Sequence, residues 1–329
     1  MRGFNEIPLI EVDQQDELGP ATLIAQRDRA DALISGATRG VSKTFLSGLD
    51  KVSRRWMARW NHENLPEIDR VARILGRPGV YFLSANYEWC CTCRVAADPT
   101  GSSARLVRVL DWGMPGLGEY VIAARVSAEA GPFLALTWPG YTGVLQGMAS
   151  GRFSAALNQA PMRRSIGLFA LDWAANKARV WSRPHSTPAY LLRKVFATAR
   201  GYSEAKARLT ETPIASPCIY TLAGLSPDET VVIEREEETA EVHEGPGVAA
   251  NHWQSARYKG SSRGVDSKGR ARLVGSLAPD FESDFDWLKP PVLNPLTRLV
   301  MVAGAREGRV QAQGYENEAP ATALLDVVC

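Results

Sequence analysis

Residues 90–113 read CCTCRVAADPTGSSARLVRVLDWG, two strand-compatible runs joined by a group of turn-forming residues. Cysteine, threonine, valine and leucine suit a strand, whereas residues 98–103 hold aspartate, proline, glycine and serine, which favour turns. With the turn centred near Thr100 and Gly101, paired residue numbers sum to about 201, so Cys91 is predicted to face a position near Leu110. The stretch therefore predicts an antiparallel hairpin.

The hairpin places two charged side chains near a thiol. Arg108 and Asp111 lie within a residue or two of the position opposite Cys91. A cation beside a cysteine lowers the pKa of its thiol, and a carboxylate can hold a neighbouring amine or guanidinium in place. Residues three apart in a straight strand point to opposite faces, so a bulge or a strand end is predicted between Arg108 and Asp111.

Outside the hairpin, the chain alternates between helical and strand patterns. Apolar residues recur at helical spacing in three segments before residue 90, the third running from Pro66 to Gly76. Further strands are predicted at 120–126, 133–138, 143–146, 153–157, 219–223, 230–235, 240–242, 248–251, 299–304 and 309–314. Further helices are predicted at 189–200 and 203–209, and a mobile polar loop at 261–272. This order predicts an α+β fold in which sheets pack together and helices cover them.

The composition limits the classes of function. The 329 residues include 38 basic and 36 acidic side chains, and the net charge of +2 offers no surface for nucleic acid. The N-terminus lacks the pattern of a secretory signal, and no run approaches the roughly 18 apolar residues of a spanning helix. Five cysteines are too few for a disulfide framework. We therefore expect a cytoplasmic protein with reduced thiols, no nucleic-acid partner and no transmembrane segment.

Three of the cysteines, Cys90, Cys91 and Cys93, fall within four consecutive positions. For any single cysteine, burial as a small apolar residue is the commoner explanation. A structural zinc site needs four ligands, and the other two cysteines and the four histidines are scattered singly, so we predict neither a metal nor a cofactor. No histidine stands in a catalytic signature. Cleavage of the chain before Cys91 would instead create an α-amino group, whose pKa of ~7.7 to 8.0 suits a base.

Several motifs resemble one enzyme family. Cys91-Thr92-Cys93 and the return strand Arg108-x-x-Asp111-Trp-Gly are similar to those of N-terminal-nucleophile (Ntn) amide hydrolases. The likeness is greatest to the acid ceramidase and N-acylethanolamine acid amidase group, with bile salt hydrolases and penicillin acyltransferases as more distant relatives. Further motifs follow in the family's order: WPGYTGVL at 138–145, GRFSAALN at 151–158, VVIER at 231–235 and ANHW at 250–253. The resemblance implies a four-layer αββα sandwich with two packed antiparallel sheets.

The resemblance also implies how the chain is processed. Autocatalytic cleavage between Cys90 and Cys91 would make Cys91 both the nucleophile and a new N-terminus. Residues 1–90 would then be a helical pro-segment and residues 91–329 the sheet-rich catalytic segment, together forming one folded unit whose fragments associate. The aromatic group Trp56, Trp60, Tyr81, Phe82, Tyr87 and Trp89 is predicted to be core between these segments rather than an acyl-chain site.

The remaining site residues are also assigned by the resemblance. Arg108 and Asp111 would position the amine and the thiolate. Asn251 would donate its side-chain amide to the developing oxyanion, assisted by Asn158, because that charge needs preorganised donors. Arg263 follows Asn251 as a further site residue.

The sequence departs from the family pattern in two places. Cys93 stands where the family usually has serine, and the interval from Cys91 to Arg108 is slightly longer than usual. Arg257 is an alternative to Arg263 as the arginine of the site that follows Asn251 in the sequence.

The predicted function is hydrolysis of a linear carbon–nitrogen amide in a small N-acyl compound with an apolar acyl group. Acyl transfer of the penicillin acyltransferase type is one alternative, because the acyl-enzyme is shared. The other is an uncleaved, non-catalytic relative that binds acyl ligands or a partner.

Overall fold

The helices and strands come from a computed structural model that describes residues 4–13, 15, 17–84, 89–277, 280–281 and 284–329. The N-terminal part contains β1 (Leu9–Val12), α1 (Leu18–Ala25), α2 (Arg27–Ala37), α3 (Lys43–Arg59), α4 (Leu65–Leu75) and α5 (Val80–Ser84). The α4 helix has Pro66 in its first turn and ends at Gly76 in the left-handed region, with φ of 64°. Of the three helical segments predicted before residue 90, the second and third are confirmed as α3 and α4, whereas the first is divided at Gln26 into α1 and α2.

The middle of the chain is rich in strands. It contains β2 (Trp89–Ala97), β3 (Ala104–Trp112), β4 (Ile122–Val126), β5 (Phe133–Thr137), β6 (Gln146–Ala149) and β7 (Phe153–Gln159). Three helices follow, α6 (Phe169–Trp181), α7 (Pro188–Thr198) and α8 (Tyr202–Glu211). The remaining elements are β8 (Cys218–Ala223), β9 (Thr230–Arg235), β10 (Ala240–Glu244), β11 (Gly247–Ala249), α9 (Ser267–Gly275), β12 (Thr297–Gly304), β13 (Arg309–Glu316), β14 (Ala319–Pro320) and β15 (Leu325–Val328).

The β2–β3 hairpin has the predicted register. Cys91 pairs with Leu110, and the pairing runs unbroken from the Trp89 end to the Ala97 end of β2. The bulge predicted between Arg108 and Asp111 is therefore wrong for this hairpin. The register instead shifts on the neighbouring strand β12, between Thr297 and Leu299, beside Asp111.

Among the described residues, the strands form two sheets. The eight-stranded sheet has the order β1-β4-β5-β6-β7-β8-β9-β10, and its pairs are antiparallel except for the parallel pair β1–β4. The seven-stranded sheet has the order β11-β2-β3-β12-β13-β14, with β15 also paired to β13. Nucleophile candidate Cys91 therefore lies in the second sheet, one strand from its β11 edge.

The two sheets pack face to face, and helices cover their outer faces. Cys91, Leu106 and Leu110 lie in the core between the sheets, together with residues of the eight-stranded sheet. Helices α1, α7 and α8 contact the outer face of the eight-stranded sheet. Helix α9 contacts β2, and its Val274 packs with Val107 on the outer face of the seven-stranded sheet. This arrangement confirms the α+β class and the αββα layers.

Some local predictions differ from the structure. The strand expected at 143–146 begins only at Gln146, and α6 was not predicted. The mobile loop expected at 261–272 is wrong, because α9 begins at Ser267. The side chain of Asp266 caps that helix by accepting the backbone N–H of Gly269. Of the aromatic group, Trp56 and Trp89 are buried in core clusters, whereas Tyr87 lies outside the described residues.

Across the described ranges, every helix is too short or too polar to cross a lipid bilayer.

Candidate active site

The side chain of Cys91 is fully buried between the two sheets. Because successive strand residues point to opposite faces, Cys93 shares this inner face and Cys90 does not. Cys90 instead borders a cavity of about 250 Å³ that Arg263 and Gly264 also line. The two adjacent thiols proposed to flank the cleaved bond therefore have different surroundings.

Arg108 lies on the inner face with both buried thiols. It is fully buried and pairs in register with Cys93. One guanidinium nitrogen, Nη1, contacts Cys93 Sγ at 3.4 Å and donates to Oδ1 of Asn158. Cys93 Sγ lies 3.0 Å from the same Oδ1 atom. The sequence-predicted Arg108 and Asn158 are thus in direct contact, with Cys93 beside them.

The charge state of Cys91 follows from its burial. Burial raises the pKa of the Cys91 thiol, and the positive charge of Arg108 opposes that rise without cancelling it. Burial likewise raises the pKa of the Cys93 thiol. In the intact chain both groups are therefore neutral thiols at pH 7, and Cys91 is inaccessible to an external substrate.

Asp111 lies on the opposite face of the sheet from Arg108. Its carboxylate accepts hydrogen bonds from Thr297 Oγ1 at 3.0 Å, Asn294 Nδ2 at 3.1 Å and Arg270 Nη1 at 3.1 Å. Burial raises the pKa of the Asp111 carboxyl, and the charge of Arg270 opposes that shift. Asp111 therefore pairs with Arg270 rather than with Arg108, which is why no bulge is needed between Arg108 and Asp111.

Asn251 joins the two faces of the site. Its Oδ1 accepts the backbone N–H of Cys91 at 2.7 Å and a hydrogen bond from Arg270 Nη2 at 3.0 Å. Its Nδ2 donates to the carbonyl oxygen of Gln159 at 2.8 Å. In the intact chain the amide predicted to serve the oxyanion thus already has an acceptor, and Asn251 contacts Cys91 through its side-chain oxygen.

Asn158 has the same kind of arrangement. Its Nδ2 donates to the carbonyl oxygens of Ala249 at 3.1 Å and Ala250 at 3.3 Å. Asn158 therefore ties β7 to the segment that carries Asn251, across the space between the sheets.

The two candidates for the arginine that follows Asn251 differ in position. The backbone N–H of Arg263 donates to the carbonyl oxygen of Asn251 at 3.1 Å, and its Nε donates to Ala160 O at 3.0 Å. Arg257 is exposed and its guanidinium pairs with Glu241 at 2.6 Å. The structure thus brings Arg263, and not Arg257, next to Asn251.

Arg270 is the residue that the sequence reasoning missed. Its guanidinium is fully buried and contacts Asp111, Asn251 and, through Nη1 at 2.8 Å, the hydroxyl of Thr92. Ser267, Arg270 and Val274 are the buried residues of α9, at helical spacing. That spacing, together with the Asp266 cap, is the signal in the sequence that could have identified both the helix and its buried arginine.

A second cavity borders Trp112, next to Asp111. It measures about 90 Å³ and is mainly apolar, lined by side chains that include Leu33, Val71, Val80, Trp112 and Trp138. Trp112 follows Asp111 and pairs with Trp89, two residues before Cys91. The helices before residue 85 and the sheet-rich segment thus build this apolar cavity together.

Known proteins resemble parts of this chain. No family model matches the chain. Acid ceramidase from Homo sapiens is 34% identical over 200 residues, which cover 57% of this chain and 48% of the human protein. Acid ceramidase from Mus musculus is 33% identical over 114 residues, covering 34% of this chain and 27% of the mouse protein. The match thus spans about half the length of the human relative, at 48%.

A solved structure gives the likeness in fold. The N-acylethanolamine-hydrolyzing acid amidase ortholog from Caenorhabditis elegans superposes with a TM-score of 0.51 at 24% identity, covering 64% of this chain and 92% of that one. The similarity to acid ceramidase confirms the resemblance that the sequence motifs indicated, and the chain shares its αββα fold with the acid amidase ortholog.

Proposed function

We propose that this protein is an N-acyl amide hydrolase whose nucleophile, Cys91, becomes an N-terminal residue when the bond to Cys90 is cleaved. The observation that carries the proposal is the contact between the Cys91 backbone nitrogen and Asn251 Oδ1, at 2.7 Å. After cleavage the same nitrogen would be an α-amino group held by an acceptor. Arg108 on one side and the Asp111–Arg270 pair on the other complete the surroundings.

Cleavage of the chain would use the same nucleophile. Cys91 Sγ attacks the carbonyl carbon of Cys90, and the carbon–nitrogen bond breaks as the Cys91 nitrogen takes up a proton. Water then hydrolyses the resulting thioester, leaving a carboxylate on Cys90 and an amine and a thiol on Cys91. Each step conserves atoms and needs no redox partner. The buried position of Cys91 in the intact chain supports a precursor that becomes accessible only after this reaction.

Amide hydrolysis would follow the same course. The α-amino group takes the proton of the Cys91 thiol, and the thiolate attacks the substrate carbonyl. The ammonium group then gives that proton to the departing amine, and water releases the acyl group from the thioester. Arg108 would stabilise the thiolate by its charge. Asn158, Asn251 and Arg263 remain the proposed supports for the oxyanion and the amine, because Asn251 contacts the Cys91 nitrogen and the other two hold the segment that carries Asn251.

The two cavities support a substrate with an apolar and a polar half. The apolar cavity at Trp112 suits an acyl chain. The cavity at Cys90 has a mixed lining that includes Phe169, Gln159 and Arg263, and its polar side chains could hold the amine half. The names of the relatives, acid ceramidase and N-acylethanolamine-hydrolyzing acid amidase, point to the same class of N-acyl lipid amide.

Both segments would remain together after cleavage. Glu67 of α4 accepts the backbone N–H of Gly19 at 2.8 Å and pairs with Arg193 of α7. Because the apolar cavity also has walls from both segments, residues 1–90 and 91–329 are proposed to act as two fragments of one folded unit in the cytoplasm.

A substrate panel tests the proposal. Purified protein is incubated with N-acyl ethanolamines, ceramides and N-acyl amino acids of matched acyl chain, and the released amine is quantified. Turnover of at least one amide by the wild type, and none by a Cys91→Ala variant, is expected. Turnover that persists in Cys91→Ala would remove Cys91 from the mechanism, and binding without turnover by the wild type would favour a non-catalytic relative.

A further inference from the structure

The first turn of α9 contacts Asn251 at two points. Ser267 Oγ accepts the backbone N–H of Asn251 at 2.9 Å, and Arg270 Nη2 donates to Asn251 Oδ1 at 3.0 Å. Residues three apart lie on one face of a helix, so one turn of α9 holds both the main chain and the side chain of Asn251. Ser267 is buried, with 4% of its surface exposed.

Ser267 has a second polar partner. Its Oγ lies 2.8 Å from Nδ1 of His252, the residue that follows Asn251. A hydroxyl has one proton and two lone pairs, so while Oγ accepts from Asn251 its proton can go to a neutral imidazole at Nδ1. The result is a directed chain from the Asn251 N–H through the Ser267 hydroxyl to His252.

We propose that Ser267, with its hydrogen bond to His252, is a positioning residue that fixes Asn251 against the Cys91 nitrogen. This inference rests on the proposed function, because it gives Ser267 a role in a reaction at Cys91. Ser267 touches no reacting atom. It acts by fixing the backbone at Asn251, and the Cys91 N–H contact with Asn251 Oδ1 depends on that placement.

The helix that carries Ser267 is itself anchored. Arg94 of β2 donates to the carbonyl oxygen of Val274 at 3.2 Å, at the last turn of α9, and also contacts the carbonyl of Gly275. Val274 is fully buried against the outer face of the seven-stranded sheet. Because α9 is fixed to the strand that carries Cys91, its first turn can hold Asn251 at a constant distance from Cys91.

The His252 contact adds a dependence on pH. Burial lowers the pKa of His252, Lys268 and Arg270 lower it further, and Glu234 opposes them. His252 is therefore neutral at pH 7 and can accept the Ser267 proton. When acid protonates His252, Nδ1 becomes a donor to Ser267 Oγ, so this one hydrogen bond reverses while the Asn251 N–H still donates to the same oxygen. The Ser267 proton then loses its acceptor on His252. The positioning of Asn251 by Ser267 should weaken on the acid side of neutrality.

Cleavage of the chain before Cys91 provides the assay. The rate is followed by mass spectrometry in wild type, Ser267→Ala, Ser267→Thr and His252→Phe, from pH 8 to pH 5. Ser276→Ala is the matched control, because Ser276 ends the same helix and its hydroxyl donates only to Leu273 O at 2.7 Å within the described part of the chain. Circular dichroism checks that each variant is folded.

The expected result is a loss of about tenfold in cleavage rate for Ser267→Ala at pH 7.5, in line with a lost buried hydrogen bond. Ser267→Thr should recover most of the rate, and Ser276→Ala should match the wild type. Cleavage should slow more steeply on acidification in the wild type than in Ser267→Ala and His252→Phe, because only the wild type also loses the Ser267–His252 arrangement.

Two outcomes overturn the inference while leaving the proposed function intact: a Ser267→Ala variant that cleaves like the wild type at every pH, or an equal slowing in Ser276→Ala. A folded wild type that stays uncut overturns the proposed function and this inference together.

Discussion

The backbone nitrogen of Cys91 and the side-chain oxygen of Asn251 lie 2.7 Å apart, although 160 positions separate the two residues in the chain. The contact follows from strand pairing. Strand β11 pairs with β2 so that Ala249 faces Cys93 and Gly247 faces Val95. Continuing that antiparallel register by two residues places Asn251 opposite Cys91. An edge strand of the sheet thus sets the distance on which the proposed amine position depends.

The two adjacent cysteines should respond differently to substitution. Cys91→Ala should leave the chain uncut and inactive, because it removes the proposed nucleophile. Cys90→Ala should still be cleaved, because the Cys90 side chain points to the opposite face and borders the cavity near Gly264. Gel electrophoresis of the two purified variants checks this. Cleavage of Cys91→Ala, or a Cys90→Ala variant that stays intact, would contradict the assignment of Cys91 as the nucleophile.

Removal of Arg270 should destabilise the fold. The Arg270–Asp111 pair is buried, and breaking such a pair by removing one partner costs about 3–5 kcal/mol. Arg270→Gln should therefore lower the free energy of unfolding by several kcal/mol in urea titrations. Arg272→Gln, an exposed position on the same helix, is the matched control and should change it little. Equal stability of both variants would mean that Arg270 does not hold the site together.

The effect of a substitution at Cys93 on stability and chain cleavage should depend on whether the new side chain can form a hydrogen bond. Cys93 lies between Arg108 and Asn158, at 3.4 Å and 3.0 Å from their polar atoms. Cys93→Ser should therefore retain chain cleavage within a few fold. Cys93→Val is bulkier and removes the polar partner, and the loss of the partner alone costs about 1–3 kcal/mol when the remaining groups stay buried. Thermal melting and cleavage rates that rank valine above serine would contradict this.

Acid should weaken the helical segment through His62. This ring is buried between Trp56 and Tyr190, and burial lowers its pKa, opposed by the His185 backbone and Glu63. The folded chain therefore binds a proton less readily than the unfolded chain. The stability that His62 contributes is full above about pH 6.5 and is lost as the pH falls below that value.

The test is the melting temperature between pH 8 and pH 5. His62→Leu should flatten the decrease at acid pH, whereas His185→Gln should keep the wild-type slope because His62 is still present. A His62→Leu variant with the full wild-type slope would assign the acid sensitivity to another group.

The parts of the fold that could be predicted depend on local signals. The turn residues at 98–103 set the register of the β2–β3 hairpin, so the pairing of Cys91 with Leu110 could be derived from the sequence. The α9 helix could not be recognised as easily, because Gly269 and three basic residues obscure its apolar face. Its role depends on the burial of Arg270, which the spacing of Ser267, Arg270 and Val274 indicates only after the helix itself has been recognised.

The site residues divide in the same way. Arg108 and Asp111 could be placed near Cys91 from hairpin geometry, but the partner of Asp111 could not, because Arg270 reaches it from a helix 159 positions away. The roles of Asn158 and Asn251 were inferred from the family resemblance. The contact between Asn158 and the segment that carries Asn251 depends on how the two sheets pack, which no local pattern predicts. The expectation of a bulge failed because it required Arg108 and Asp111 to lie on the same face, beside the Cys91 thiol.

The central claim is that this chain cuts itself before Cys91, and N-terminal sequencing of the purified protein, combined with intact mass measurement, tests it most directly. We expect two fragments that co-purify, the larger beginning Cys91-Thr92-Cys93. A chain that remains at its full 35.9 kDa while hydrolysing N-acyl amides, or a large fragment that begins at another residue, would contradict it.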